Sequence, residues 1–176
     1  MKIKIKAVLV GGAAAAAIAA ALSGAGTANA SCASLNGHGI GKGCESGPGS
    51  ASVALGRGAL ADSSGPGSVA VAVGNPGYNR FYGVNLPTHA VANGVGNTSV
   101  ALGDGSEAGS LGNGNHAFVL GQGSNAFSYG GNNASGPFAG NHNTSVTVGD
   151  GSEAGAVGPD HKLSTAFGNH KQRGNN

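Results

Sequence analysis

The stretch "NTSVALGDGSEAGSLG", residues 97–112, sets a short apolar strand beside paired glycines and two acids. It is open to three readings: a cation loop, a phosphate loop, or one period of a repeat. The rest of the chain favours the third. Glycines fall at 47, 56, 65, 74 and 83, then at 94, 103, 112, 121 and 130, and later at 140, 149, 158 and 168. The step is nine residues, with extra residues before Gly94, near 130 and near 167. Such self-similarity is the mark of an array in which each unit buries its apolar side only against its neighbours.

The units include "GPGSASVAL", "GPGSVAVAV", "GVGNTSVAL", "GNGNHAFVL" and "GDGSEAGAV". Position 1 is Gly and position 3 is usually Gly, which suits corners of positive φ. Position 6 is small: Ser52, Ala61, Ala70, Ser99, Ala108, Ala117, Ala126, Ser145 and Ala154. Positions 7 and 9 are bulkier and lie on one side of a strand, because side chains alternate with period two. The pattern predicts an inward column of Val53/Leu55, Val71/Val73, Val100/Leu102, Phe118/Leu120 and Val146/Val148, with the small residues letting coils approach. One nonapeptide is too short to close a coil, whereas two give two strands and two corners. The expected fold is therefore all-β: a parallel β-solenoid or β-roll of about 18 residues per coil, with coils about 4.8 Å apart. Helix is a poor alternative, since no 3.6-residue stripe persists and Gly is too frequent.

The predicted organisation has four parts. Residues 1–30 read as a secretory signal peptide: Lys2, Lys4 and Lys6 precede an uncharged Ala-rich run, and Ala28 and Ala30 stand at the cleavage positions. Residues 31–46 form a Cys-bounded N-terminal cap, and residues 47–168 the repeat, with an insertion near 83–93. Residues 169–176, "NHKQRGNN", read as a disordered polar tail. Export makes a Cys32–Cys44 disulfide the default, with a lipid anchor on Cys32 as the competing reading. The expected location is secreted or cell-surface, with no transmembrane span in the mature chain.

Charge narrows the partners. Nine Lys and Arg less the three in the signal leave six, against seven Asp and Glu. The mature chain is near neutral, and nothing in it offers the basic footprint that nucleic acid requires.

The segments "SVALG" (Ser52–Gly56), "SVAVAVG" (Ser68–Gly74), "SVALGDGS" (Ser99–Ser106), "FVLGQGS" (Phe118–Ser124) and "SVTVGDGS" (ending at Ser152) resemble the head repeats of YadA-type trimeric adhesins. The resemblance implies a parallel β-roll displayed outside the cell that binds host, matrix or envelope components, with self-association open. The nine-residue step is shorter than the period of those heads. The chain is also similar in style to small Gly-rich exported proteins of actinobacteria, which have no established activity.

Candidate sites are few. "GDGSEAG" occurs twice and supplies Asp104 with Glu107 and Asp150 with Glu153 as the best metal candidates. Calcium takes six to eight oxygens, and calcium-binding nonapeptide rolls place an Asp in each repeat, whereas here position 6 is Ala or Ser. Solvated corners are the plainer reading, with calcium as the one cofactor entertained. "GIGKGC" lacks the residues of a phosphate loop, and no G-x-S-x-G elbow is present, so the chain reads as no enzyme. The six histidines form no zinc spacing; His161 and His170, nine apart, could stack on one corner. Asn97, Asn133 and Asn143 begin N-x-[ST] triplets and read as turns. The segment 76–92 breaks the repeat and gathers Tyr78, Arg80, Phe81 and Tyr82, the residue types that anchor partners; a covering loop is the plainer reading. The function expected is an exported structural or adhesive repeat protein. The alternatives are a weak calcium-binding module and a largely disordered secreted chain.

Overall fold

The computed structural model describes residues 31–130, 142–158 and 161–175. The signal-peptide reading of residues 1–30 and the Asn133 triplet lie outside them. The described residues are all-β. The strands are β1 (Ser31–Leu35), β2 (His38–Ile40), β3 (Cys44–Ser46), β4 (Ala51–Leu55), β5 (Leu60–Ser64), β6 (Val69–Val73), β7 (Gly77–Asn79) and β8 (Val84–Leu86). There follow β9 (His89–Val95), β10 (Thr98–Leu102), β11 (Glu107–Asn113), β12 (His116–Leu120), β13 (Asn125–Tyr129), β14 (Thr144–Val148), β15 (Glu153–Val157), β16 (Leu163–Phe167) and β17 (Gln172–Asn175).

These strands make two large sheets and a hairpin. Sheet A runs β2-β1-β4-β6-β10-β12-β14-β16, and sheet B runs β3-β5-β9-β11-β13-β15-β17. From β3 onward the chain crosses from one sheet to the other at each corner, apart from the β7-β8 hairpin. From β4 onward pairing within sheet A is parallel, and all of sheet B is parallel. The register gives the period directly. Ala51 pairs with Val69 and Thr98 with His116, a return to the same sheet after 18 residues in each case.

The interruptions account for the uneven glycine count. Val69 pairs with Thr98, 29 residues on, so 11 extra residues separate β6 from β10. His116 pairs with Thr144, 28 residues on, so 10 extra residues lie between β12 and β14. Segment 74–82 is therefore not a repeat unit. It enters the antiparallel β7-β8 hairpin, and the break begins before residue 83.

The corners explain the invariant glycine. Gly56, Gly74, Gly103, Gly121 and Gly149 all have positive φ, as do Gly65, Gly94 and Gly112 on the opposite edge. A Cβ at Gly103 would also run into the carbonyl of Gly121 on the next layer, and one at Gly112 into that of Gly130. Backbone conformation and layer spacing thus both exclude a side chain.

The interior is the reverse of the expected one. Ala70, Ala72, Ala101, Ala117, Ala126, Ala154 and Ala156 are fully buried, together with Ser52, Ser99, Ser128 and Ser145. Apart from the buried Val53, the expected inward column lies on the outer face: Val71, Val73, Val100, Leu102, Val146 and Val148 are half-buried. Phe118 and Leu120 are 37% and 55% exposed. The reason is the length of the corners. Four residues such as Gly103–Ser106 join β10 to β11, and across so short a bridge a Ser hydroxyl of one sheet reaches a backbone carbonyl of the other. Most of the side chains between the sheets are therefore Ala or Ser, with the larger Val119 and Thr147 among them. Hydroxyls span the gap: Ser110 Oγ donates to the Thr98 carbonyl at 2.8 Å, and Ser128 Oγ to that of His116 at 2.6 Å.

The ends differ from each other. β1 runs antiparallel to β4 and β2, and the Cys32–Cys44 disulfide ties sheet A to sheet B at this end. At the other end, residues expected to fray form β17, which pairs in parallel with β15. Its polar side chains hid the strand, because ladder bonds come from the backbone whatever the side chain.

Candidate binding cleft

The 75–88 interruption lies along the corner edge and then over sheet B. At Gly77 a Cβ would meet the backbone of Asp104, and at Gly123 it would meet the carbonyl of Tyr78, so the loop is seated on corner glycines. Asn79 is the latch. It is fully buried, and its Nδ2 donates to the Gly105 carbonyl (2.9 Å) and to Asn125 Oδ1 (2.7 Å). Its Oδ1 accepts from the backbone N–H of Phe81 at 3.1 Å and of Tyr82 at 3.3 Å, which fixes the hairpin turn. No sequence signal set Asn79, between Tyr78 and Arg80, apart from the other asparagines of the chain.

The return of the hairpin leaves a cleft of about 300 Å³ between itself and sheet B, lined by Tyr82, Val84, Leu86, Pro87, His89 and Glu107. His89 and Glu107 are register partners on β9 and β11 and form part of its floor. Glu107 also lies near two phenols. Burial first, then the Glu107 charge and hydrogen bond, push the Tyr82 phenol up to about 12. Tyr129 is likewise pushed up, by burial and then by Glu107 and Tyr82. Burial raises the Glu153 carboxyl. His89 Nε2 is buried without a hydrogen-bond partner, 3.5 Å from Asp62 Oδ2. Gly109 makes room for the aromatic wall: a Cβ there would lie 3.0 Å from the Phe127 ring and 3.3 Å from the Tyr129 hydroxyl. The Phe127 and Tyr129 rings sit 5.7 Å apart.

Of the four residues singled out for partner contact, Tyr82 lines the cleft, whereas Tyr78, Arg80 and Phe81 sit on the exposed hairpin and its turn. Phe81 packs edge-on against Tyr82 at 4.8 Å.

The four metal candidates are not brought together. Asp104 and Asp150 are corner acceptors, taking the backbone N–H of Asn75 (2.8 Å) and of Gln122 (2.9 Å) from the preceding layer. Glu107 and Glu153 lie on sheet B with Asn125 between them in register. Among the described residues, no three His, Cys, Asp or Glu side chains converge as a metal site.

The histidine pairing also differs from expectation. His142 and His161 stack at 5.4 Å, both at positive φ in the corner, while His170 lies against Gly151. Asn97 and Asn143 do sit at corners, but fully buried, as rungs of an amide ladder.

No protein-family model matches the chain, and neither a curated protein nor a solved structure matches it. Among the described residues no helix is long and apolar enough to cross a membrane.

Proposed function

We propose that the chain is an exported, non-enzymatic β-solenoid with a structural or adhesive role at or beyond the cell surface. One observation carries this reading: the repeat places its bulky apolar side chains outward. On sheet A, Val71, Val100, Phe118 and Val146 form one outer row, and Val73, Leu102, Leu120, Val148 and Phe167 the next. A flat apolar face continued over several strands is uncommon on a free monomer and marks a contact surface. The 18-residue return, the alternation between sheets and the glycine corners support two strands per coil. The disulfide suits an oxidising compartment.

The test combines location with adhesion. Fractionating producing cells, with N-terminal sequencing of the exported form, is expected to find a chain beginning at Ser31 in the medium or on the envelope. A chain retained in the cytoplasm with residues 1–30 intact overturns the reading. Phe118→Lys with Leu120→Lys is expected to keep the β spectrum yet abolish retention on an apolar surface. Undiminished retention argues against an adhesive face.

A further inference from the structure

We propose that the Tyr82–Glu107 cleft is a binding site for an alkylammonium group, a site that goes beyond the structural or adhesive reading and lies on sheet B, away from the apolar face of sheet A. Its size comes first. About 300 Å³ is at the small end of ligand sites and admits a short chain rather than a polymer surface.

The walls are mostly apolar. Val84, Leu86, Pro87 and the Tyr82 side chain suit an aliphatic stem. The charge at the floor has one sign. Glu107 lines the cleft, Glu153 is close enough to act on Tyr82, and Asp62 lies beside His89. Among the described residues, no Lys or Arg forms an ion pair with these carboxylates.

A cation placed there gains a charge-assisted hydrogen bond to Glu107 and the attraction of the Tyr82 ring. His89 Nε2, 3.5 Å from Asp62 Oδ2, is a further polar group at the same floor. An anion is repelled by the Glu107 carboxylate in the lining. A sugar finds too few polar groups to replace its hydration. The same ammonium chemistry can come from a free amine or from a lysine side chain on a partner protein.

The experiment is an NMR titration of the full chain with n-butylammonium chloride, with sodium butyrate at equal ionic strength as control. Saturable shifts of the Tyr82, His89 and Glu107 amides with butylammonium alone are expected, and E107Q is expected to weaken them by roughly 10-fold or more. L86W, which fills the cleft without touching the charge, should abolish them, and each variant's fold is checked by circular dichroism. Putrescine and a capped Gly-Lys-Gly peptide separate the two sources: tighter binding of the peptide assigns the site to a partner's lysine, and tighter binding of putrescine to a free amine. No saturable shift, equal shifts with butyrate, or unchanged affinity in both folded variants overturns the proposal. Loss of apolar-surface retention on Phe118→Lys bears only on the sheet A face, so the two readings fail independently.

Discussion

The backbone N–H of Asn143 donates to Oδ1 of Asn115 at 2.8 Å across 28 residues of sequence, and both side chains are fully buried. The same bond recurs below and above. Asn115 N–H donates to Asn97 Oδ1 (2.8 Å), and Lys162 N–H donates to Asn143 Oδ1 (2.8 Å). An interior of Ala and Ser gives little apolar area per residue, so these corner ladders carry much of what orders the layers. Asn115→Ala leaves the Asn143 amide without its acceptor and removes one of the two bonds to the Leu111 carbonyl, which keeps the Gly130 N–H. The expected cost is about 2–3 kcal/mol, read as a lower midpoint in urea. An unchanged midpoint would show that water replaces the rung.

Glycine at the corner is required twice over, by φ and by the layer above. Gly103 has φ 129° and faces the Gly121 carbonyl. Gly103→Ala is expected to cost about 3 kcal/mol or more. Gly155, where a Cβ would have open space and no positive φ is required, serves as the control. Gly155→Ala should leave the thermal midpoint close to wild type. Equal loss in both variants would contradict the corner argument.

Much of this was legible in the sequence. A nine-residue glycine step, small residues at position 6 and alternation between positions 7 and 9 were enough for two parallel sheets and an 18-residue return. The facing of the strands was not. Val and Leu normally point inward, and nothing local reveals that the residues between the Gly-x-Gly corners would be mostly Ala and Ser. The position-4 ladder was missed for a related reason: Asn97, Asn115 and Asn143 look like ordinary turn residues until their layers are superposed. The cleft was partly visible through Tyr82, but Glu107 was read as a metal candidate. His89 and the Asn79 latch gave no signal, because their roles depend on the hairpin folding back over strands distant in sequence.

His116 provides a test on the acid side. Burial, and then the neighbouring His142, hold its imidazole below the ordinary value of 6.5. The unfolded chain takes up this proton more readily than the folded one. The stability concerned is therefore complete above about pH 6.5 and is lost as pH falls below it. The register neighbours of His116 are Thr98 and Thr144. His116→Thr is expected to flatten the fall of the melting temperature between about pH 6.5 and 5. A slope identical to wild type would place the sensitivity elsewhere.

Tyr82 makes the matching prediction in alkali. Its phenol is pushed from 10.0 up to about 12, so the folded state holds this proton the more tightly. The stability it contributes is present below about pH 10 and disappears as pH rises toward 12. Ultraviolet titration of tyrosinate absorbance should show a late phase that Tyr82→Phe diminishes. Glu107→Gln should move that phase to lower pH by removing the adjacent charge. A late phase that ignores Glu107 would separate the phenol from the carboxylate.

The central claim is that small residues mostly face inward and bulky apolar ones mostly outward, with Val53 and Val119 the buried exceptions. Ala117 and Phe118 are adjacent on β12, 0% and 37% exposed. Thiol labelling of single variants Ala117→Cys and Phe118→Cys, with the Cys32–Cys44 disulfide left intact, measures that orientation directly. The account predicts rapid labelling at 118 and labelling at 117 only on unfolding. Protection at 118 with reaction at 117, or equal rates at both, would contradict it.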